Sequence, residues 1–391
     1  MDSERFSRIS LEGVETPCFI LDEGLLEENL KILDLVQKKT GCRILLALKG
    51  FAMFSTFPLI RKYLHGVCAG SLHEARLGFE EFGREVHTYA PAFRDSEIGE
   101  VIKYSDHIVF NSFSQLRRFA PAIEKARAAG KKIEVGIRIN PEHGEAPSEH
   151  YNPCGAGSRF GIHVEELHGQ SLEGIRGLHF HALCEKYSDS LERVLDVVNE
   201  KFGKYIRKMR WVNFGGGHLI TDKGYDVEHL CRLINDFRDR YPNIEQVYLE
   251  PGEAVAFNAG ILVTTVLDVK SGREGNAAIL DFSPEAHLSD IIVSPFRQEI
   301  LGAGMPGEHP HKYLLGAPTC SAGDVLGEYS FFKPLKFGDR LILLNMAVYS
   351  MVKTSNFCGV RLPDIAIYHP KTGDVEVVRK FGYEDFKNRL S

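Results

Sequence analysis

The feature that most constrains this chain is an alternation. Eight apolar runs follow one another: "RILLALKG" from Arg43, "GVCAGS" from Gly66, "EVHTYAP" from Glu85, "HIVFNS" from His107, "IEVGIRIN" from Ile133, "GLHFHAL" from Gly177, "WVNFGGG" from Trp211 and "QVYLEPG" from Gln246. Each has the length and flanking turn residues of a buried strand. Between them lie segments such as "SLHEARLGFEEFG" and "YDVEHLCRLINDFRDRYP", whose apolar residues recur at the helical spacing of three and four. Strand then helix, repeated eight times, predicts an α/β fold built on a closed parallel (β/α)₈ TIM barrel. After Gly260 the pattern changes to strands separated by turns, "ILVTTVLDVKSG", "AAILDFS", "DRLILLNMAVYSM" and "DVEVVRKFG". These predict a second, antiparallel β-barrel or sandwich domain, which the strand in "ETPCFILD" near the N-terminus can join. The expected division is a barrel over 23–259, with 1–22 and 260–391 forming the β domain.

Composition narrows the class. The chain has 391 residues, 43% hydrophobic and 26% charged, which is ordinary for a globular protein with a sizeable core. A formal net charge of -6 argues against nucleic acid as a partner. The first residues, "MDSERFSRIS", lack the apolar stretch of a signal peptide, and no apolar run is long enough to cross a bilayer, so a cytoplasmic location without membrane partners is expected. The eight cysteines are scattered, with no CxxC pair and no zinc-like spacing, so neither a disulfide scaffold nor a metal site is expected.

The chemistry of such a barrel lies at the C-terminal ends of its strands. Lys49 ends the first barrel run, His181 lies near the end of the sixth, Gly215, Gly216 and Gly217 follow the seventh, and Glu250 ends the eighth. Each has a bland explanation: a lysine stem reaching solvent, a structural histidine, a flexible turn, a strand stop. Their convergence on one face is harder to explain that way, and pyridoxal 5'-phosphate chemistry requires this set. A partly desolvated lysine amine forms the Schiff base. Backbone N–H groups of a glycine turn can cradle the phosphate, a carboxylate can hold the pyridine nitrogen protonated, and an imidazole can lie on the ring face.

With "TPCFILD", "LLALKG", "CAGSLHEA", "SRFGI", "HFHALCE", "NFGGGH", "LEPGEA", "GAPTCSAGD" and "YSMVKTSNFCG", the chain resembles, over nearly its whole length, the pyridoxal-phosphate decarboxylases of the alanine racemase-like fold. Within that group, which includes the ornithine, arginine and diaminopimelate decarboxylases, "HFHALCE", "GGGH", "EPGEA" and "PTCSAGD" look most like the carboxynorspermidine/carboxyspermidine decarboxylases. The resemblance implies that Lys49 is the Schiff-base lysine, His181 the ring-stacking residue, Gly215 to Gly217 the phosphate cradle and Glu250 the pyridine-nitrogen partner. Tyr349 matches the family tyrosine that bonds the phosphate. Cys320 matches the cysteine lent to the partner subunit's active site, where it returns a proton after carbon dioxide leaves. Asp324 and Arg159 match a charged pair bridging the subunits of a homodimer.

Three positions depart from the group. Glu253 stands where amino-acid decarboxylases carry a phosphate-binding arginine, which shifts that work to donors such as His218 and Tyr349. Ser321 follows Cys320 in place of an acidic substrate contact, and Cys358 replaces an asparagine. A substrate with a polycationic tail needs several carboxylates, for which Glu253, Asp281 and Asp290 are the candidates. The expected activity is decarboxylation of carboxynorspermidine or carboxyspermidine in polyamine biosynthesis. The alternatives are another basic amino acid (ornithine, arginine or diaminopimelate) in the same fold, or a decarboxylase-like binding protein without catalysis.

Overall fold

A computed structural model describes residues 3–155, 157–273 and 275–391, which fall into two compact units. Glu27–Val255 forms one, and the segments on either side of it form the other.

The strand of the N-terminal segment is β1 (Cys18–Asp22). The central unit then contains all eight predicted barrel strands: β2 (Arg43–Ala47), β3 (Gly66–Ala69), β4 (Glu85–Tyr89), β5 (His107–Phe110), β6 (Glu134–Arg138), β7 (Gly177–His179), β8 (Trp211–Asn213) and β9 (Gln246–Leu249). They pair in parallel in chain order, and β9 returns to β2 through Arg43↔Tyr248 and Ile44↔Leu249, which closes the barrel. Helices start where the sequence supplies caps. Ser71 accepts from Glu74 N–H at 3.2 Å, Ser112 from Gln115 N–H at 3.3 Å and Asp226 from His229 N–H at 2.8 Å. Each satisfies a donor that the first helical turn leaves unpaired. The helix Ser188–Ile206 buries Leu191, Val194, Leu195, Val198 and Phe202, the stripe expected of a helix lying on a sheet.

Two glycines make room for the protein's sole tryptophan. Gly136, Gly177 and Trp211 stand side by side on β6, β7 and β8. A Cβ on Gly177 would lie 1.9 Å from the indole ring, and one on Gly136 would lie 2.4 Å from it. Trp211 therefore fills the barrel interior with Leu45, Val109 and Tyr248.

The second unit contains nine strands: β1, β10 (Gly260–Gly272), β11 (Gly275–Leu280), β12 (Ala303–Gly304), β13 (His311–Gly316), β14 (Val325–Phe331), β15 (Arg340–Leu344), β16 (Asp364–His369) and β17 (Asp374–Arg379). They form one sheet in the order β12-β14-β13-β11-β10-β1-β16-β17, with β15 also on β10. Its core packs Cys18, Ile20, Ile261, Val263, Leu344 and Ala366 with Phe6, Ile9 and Val14. The sheet is mixed, which corrects the antiparallel expectation: β1 pairs with β16 and β11 with β13 in parallel. These pairings join strands distant in sequence, where no tight turn dictates direction. Nor is it a second closed barrel. Strand β10 is shared, pairing β1 and β15 along its first half and β11 beyond a bulge between Val266 and Asp268. A bulge of that kind bends and redirects a strand. The predicted strand in "DRLILLNMAVYSM" ends at Leu344, and β13, β14 and β16 fall in segments from which no strand was read.

Gly177→Ala is expected to cost about 1–3 kcal/mol through overpacking against the indole. Urea unfolding followed by circular dichroism measures this, and Trp211→Leu in the same background should recover part of the loss. Additive losses would show that the two positions do not share this space.

Candidate active site

At the C-terminal ends of the barrel strands an acidic side chain is largely enclosed. Glu250 follows β9, and its Oε1 accepts from Asn213 Nδ2–H at 2.7 Å while Oε2 lies 3.1 Å from His179 Nε2. Burial opposes ionisation of this carboxyl, yet the His179 and Asn213 contacts hold it down to about 2. Burial also holds His179 below its ordinary value, while the Glu250 carboxylate facing its Nε2 opposes that shift. Glu250 in turn acts on Cys68 of β3, whose thiol is pushed well up by burial and by that negative charge.

Lys49 sits two residues beyond β2 and is exposed. This corrects its reading as a desolvated strand-end lysine: the strand closes at Ala47, and Lys49 lies exposed in the turn after it. The glycine behind it has a packing reason, because a Cβ on Gly50 would lie 3.0 Å from the Gly252 Cα. The Lys49 charge nevertheless reaches its neighbours. His181 is held well below its ordinary value by burial first and then by the Lys49 ammonium and Arg138. Burial and the acidic charges of Glu185 and Glu253 push Cys184 up to about 12, with Lys49 opposing.

The glycine turn departs from expectation. Gly215 and Gly217 have φ of +71° and +83°, and Cβ atoms there would strike the Phe180 and Leu183 carbonyls at 2.4 and 1.9 Å. Gly215 N–H donates to Asn213 Oδ1 and Gly216 N–H to His181 Nδ1, both at 2.9 Å. Those two donors are committed within the chain, the second of them fixing the His181 ring, so the phosphate-cradle expectation is corrected for Gly215 and Gly216. His218 has the opposite character. It is 1% exposed, and neither ring nitrogen has a partner. Burial lowers it to about 4, so the ring is neutral near pH 7.

Sequence reading missed His179, Asn213 and Arg138. The Arg138 guanidinium is 5% exposed, lies 4.6 Å from the ring centroids of both Tyr89 and Phe160, and donates to the His181 carbonyl at 3.2 Å. The signal was present: all three are polar residues at the last position of a barrel strand.

In the sheet unit Tyr349 holds φ +51°, a left-handed conformation that a bulky residue keeps only where its surroundings impose it, and the Lys353 ammonium lies 5.0 Å from its ring centroid. Cys320 is exposed on the loop between β13 and β14. Asp324 pins that loop, accepting from Ser283 Oγ at 2.7 Å, Thr319 Oγ1 at 2.6 Å and Glu285 N–H at 2.9 Å. It is 2% exposed, which corrects its reading as half of an intersubunit pair: a carboxylate enclosed and triply bonded within its own chain presents nothing to a partner. Arg159 is exposed in the barrel unit, its guanidinium 4.2 Å from the Phe160 ring centroid. Asp281 is likewise committed, to Thr16, to Thr264 Oγ1 at 2.6 Å and to Thr265 N–H at 2.9 Å, so it is corrected from substrate contact to sheet fastener. Asp290 is ion-paired with Lys353, and Glu253 opens the helix Glu253–Ala256.

A family model described as "Pyridoxal-dependent decarboxylase, C-terminal sheet domain" matches residues 18–347. The chain belongs to the pyridoxal-dependent decarboxylase family. It is similar to a carboxynorspermidine/carboxyspermidine decarboxylase of Campylobacter jejuni, with 44% identity over 97% of this chain and 99% of the relative. It is 42% identical to a carboxyaminopropylagmatine decarboxylase of Synechocystis, over 97% of this chain and 96% of that one. Among solved structures, the carboxynorspermidine decarboxylase of Campylobacter jejuni complexed with norspermidine superposes with a TM-score of 0.87, at 42% identity, covering 96% of this chain and all of that one. These relatives are enzymes, and among the described residues no helix is long and apolar enough to cross a membrane.

The low value of Glu250 has a pH signature. A carboxyl held at about 2 against an ordinary 4.5 adds stability that is present above 4.5 and is lost as pH falls toward 2. Between pH 6 and pH 3 the wild type should lose about 2 kcal/mol more than Glu250→Gln does, read by urea unfolding at each pH. Equal losses would mean that the carboxylate is not held by these partners.

Proposed function

We propose that this enzyme decarboxylates carboxynorspermidine and carboxyspermidine to norspermidine and spermidine, with pyridoxal 5'-phosphate as its cofactor. The observation that carries the cofactor assignment is the ionised, enclosed Glu250 at the same end of the barrel as Lys49 and His181. The residues fit the group. Glu250 offers a fixed negative charge to a protonated ring nitrogen, and Lys49 offers an accessible amine. His218, with two unpartnered ring nitrogens in a buried position, is suited to hydrogen-bond a phosphate. When bound, pyridoxal phosphate supplies an aldehyde to hold the substrate amine and a ring to take up the electron pair that carbon dioxide leaves behind.

The chain's own residues do the rest. His181, fixed through Nδ1 by Gly216, presents a flat neutral ring at the site. Tyr349, with its imposed backbone conformation, is assigned to the phosphate by family likeness. Cys320, exposed on a loop anchored by Asp324, is assigned to return a proton to the substrate carbon, across a homodimer interface in which Arg159 takes part. Glu253 and Asp290 are assigned to the cationic tail; Lys353 would have to release Asp290 for that role.

A second reading follows from the Synechocystis relative, at nearly equal identity: a tail ending in guanidinium rather than ammonium. Carboxylates serve both, and a guanidinium adds a bidentate fork that Glu253 can accept. Carbon dioxide release from carboxynorspermidine, carboxyspermidine, carboxyaminopropylagmatine, ornithine and diaminopimelate separates the readings. Turnover of the first two supports the proposal, preference for the third favours the second reading, and preference for the last two sinks both. In the same assay Cys320→Ala should lower kcat by about 10²–10⁴-fold with the cofactor absorbance intact. Lys49→Ala should abolish the borohydride-sensitive absorbance band, and a band that persists would remove Lys49 from its role.

A further inference from the structure

Ser321, beside Cys320, lacks the acidic group that the family resemblance places there, yet the fold of the sheet unit brings a carboxylate to it. Ser321 Oγ donates to Glu285 Oε1 at 2.8 Å across a separation of 36 residues in the chain. A Cβ on Gly323 would lie 3.9 Å from the same oxygen, so the Glu285 carboxylate lies against the Cys320 loop itself.

Its position is built, not incidental. Glu285 belongs to the short helix Pro284–His287, which Ser283 starts by accepting from Ala286 N–H at 3.1 Å. Asp324 joins that helix to the loop. It accepts from Ser283 Oγ at 2.7 Å and from Glu285 N–H at 2.9 Å, and its own N–H donates to the Ser321 carbonyl at 3.1 Å. Ser283 and Asp324 are both enclosed, at 0% and 2% exposure, so the backbone on either side of the Ser321–Glu285 contact is fixed.

The charge on Glu285 is the one left unanswered. Asp281 and Asp324 each accept three hydrogen bonds, and Asp290 is ion-paired with Lys353. Glu285 is half-buried, and among the described residues its side chain has the Ser321 hydroxyl as its one partner and no cation. A partly desolvated carboxylate in that state costs free energy that an incoming cation removes.

We propose that Glu285 is a specificity residue: its carboxylate, held by Ser321 beside Cys320, binds an ammonium of the substrate's cationic tail and stands in for the acid that position 321 lacks. One oxygen keeps the Ser321 hydrogen bond and the other accepts the charge-assisted one. The inference rests on the proposed function, in which the Cys320 loop reaches the site of the partner subunit, and Glu285 goes wherever that loop goes because Ser321 and Asp324 tie them together.

The test is carbon dioxide release from carboxynorspermidine by the wild-type holoenzyme and by Glu285→Gln, whose amide oxygen can still accept from Ser321, with norspermidine binding followed by equilibrium dialysis. Glu285→Gln is expected to raise KM and to weaken norspermidine binding by about tenfold or more, with kcat lowered less than about threefold. Added NaCl should raise KM more steeply in the wild type than in the variant. Combining Glu285→Gln with Ser321→Asp, which returns an acid to the loop, should recover part of the KM, a rescue that a purely structural role would not give. Unchanged KM and norspermidine affinity in Glu285→Gln, or a loss confined to kcat, overturns the proposal. A wild type that neither turns over carboxynorspermidine nor binds norspermidine overturns the proposed function instead, and this inference with it. If Glu285→Gln fails to fold, Ser321→Ala decides by freeing the carboxylate from the loop: a KM raised about threefold or more supports the proposal, and an unchanged KM overturns it.

Discussion

Everything in the central unit depends on a closed parallel sheet. An open parallel sheet would leave β2 and β9 with unpaired backbone groups, and the pairing of Arg43 with Tyr248 and of Ile44 with Leu249 removes both edges. Closure has a geometric consequence. Residues scattered from Lys49 to Glu250 are forced to two ends of one cylinder, because parallel strands place every C-terminus on the same side. The candidate active site occupies one end. At the other, the same rule sets Glu85 and His87 beside His107.

Within that frame a buried charge organises the candidate active site. An unpaired carboxylate inside the barrel would be costly, and Glu250 is kept ionised by two donors from adjacent strands, His179 and Asn213. Asn213 serves twice, since its Oδ1 also takes the Gly215 N–H. One side chain thereby ties the charge to the glycine turn, and Gly216 ties the turn to His181. The stretch "NFGGGH" is thus a set of linked hydrogen bonds rather than a loose loop, ending in a buried imidazole whose nitrogens have no hydrogen-bond partner.

The sheet unit applies similar economy to its acidic residues. Asp324 and Asp281 each accept three hydrogen bonds from their own chain, so their charge holds backbone segments in place. Asp324 is what gives the Cys320 loop a fixed base while the thiol stays exposed.

The sequence by itself determined the alternation of eight strands with helices, the N-terminal strand's place in the second unit, and the chemical character of the strand ends, because each is set by local periodicity and by residue type. Lys49, His181 and Glu250 stood out as candidates for that reason. Only the tertiary structure decided what depends on lateral neighbours. Lys49 lies in an exposed turn because its strand stops early, and the Gly215 and Gly216 N–H groups are spent internally because a tight turn brings Asn213 and His181 to them. Asp324 and Asp281 turn inward because serine and threonine donors from other segments surround them. The meeting of Glu85 with the stacked rings of His87 and His107 is the clearest instance. No spacing rule joins position 107 to positions 85 and 87, and they meet because β4 and β5 pair with His87 opposite His107. Strand register is a property of the folded sheet, set by packing and closure rather than by any one segment.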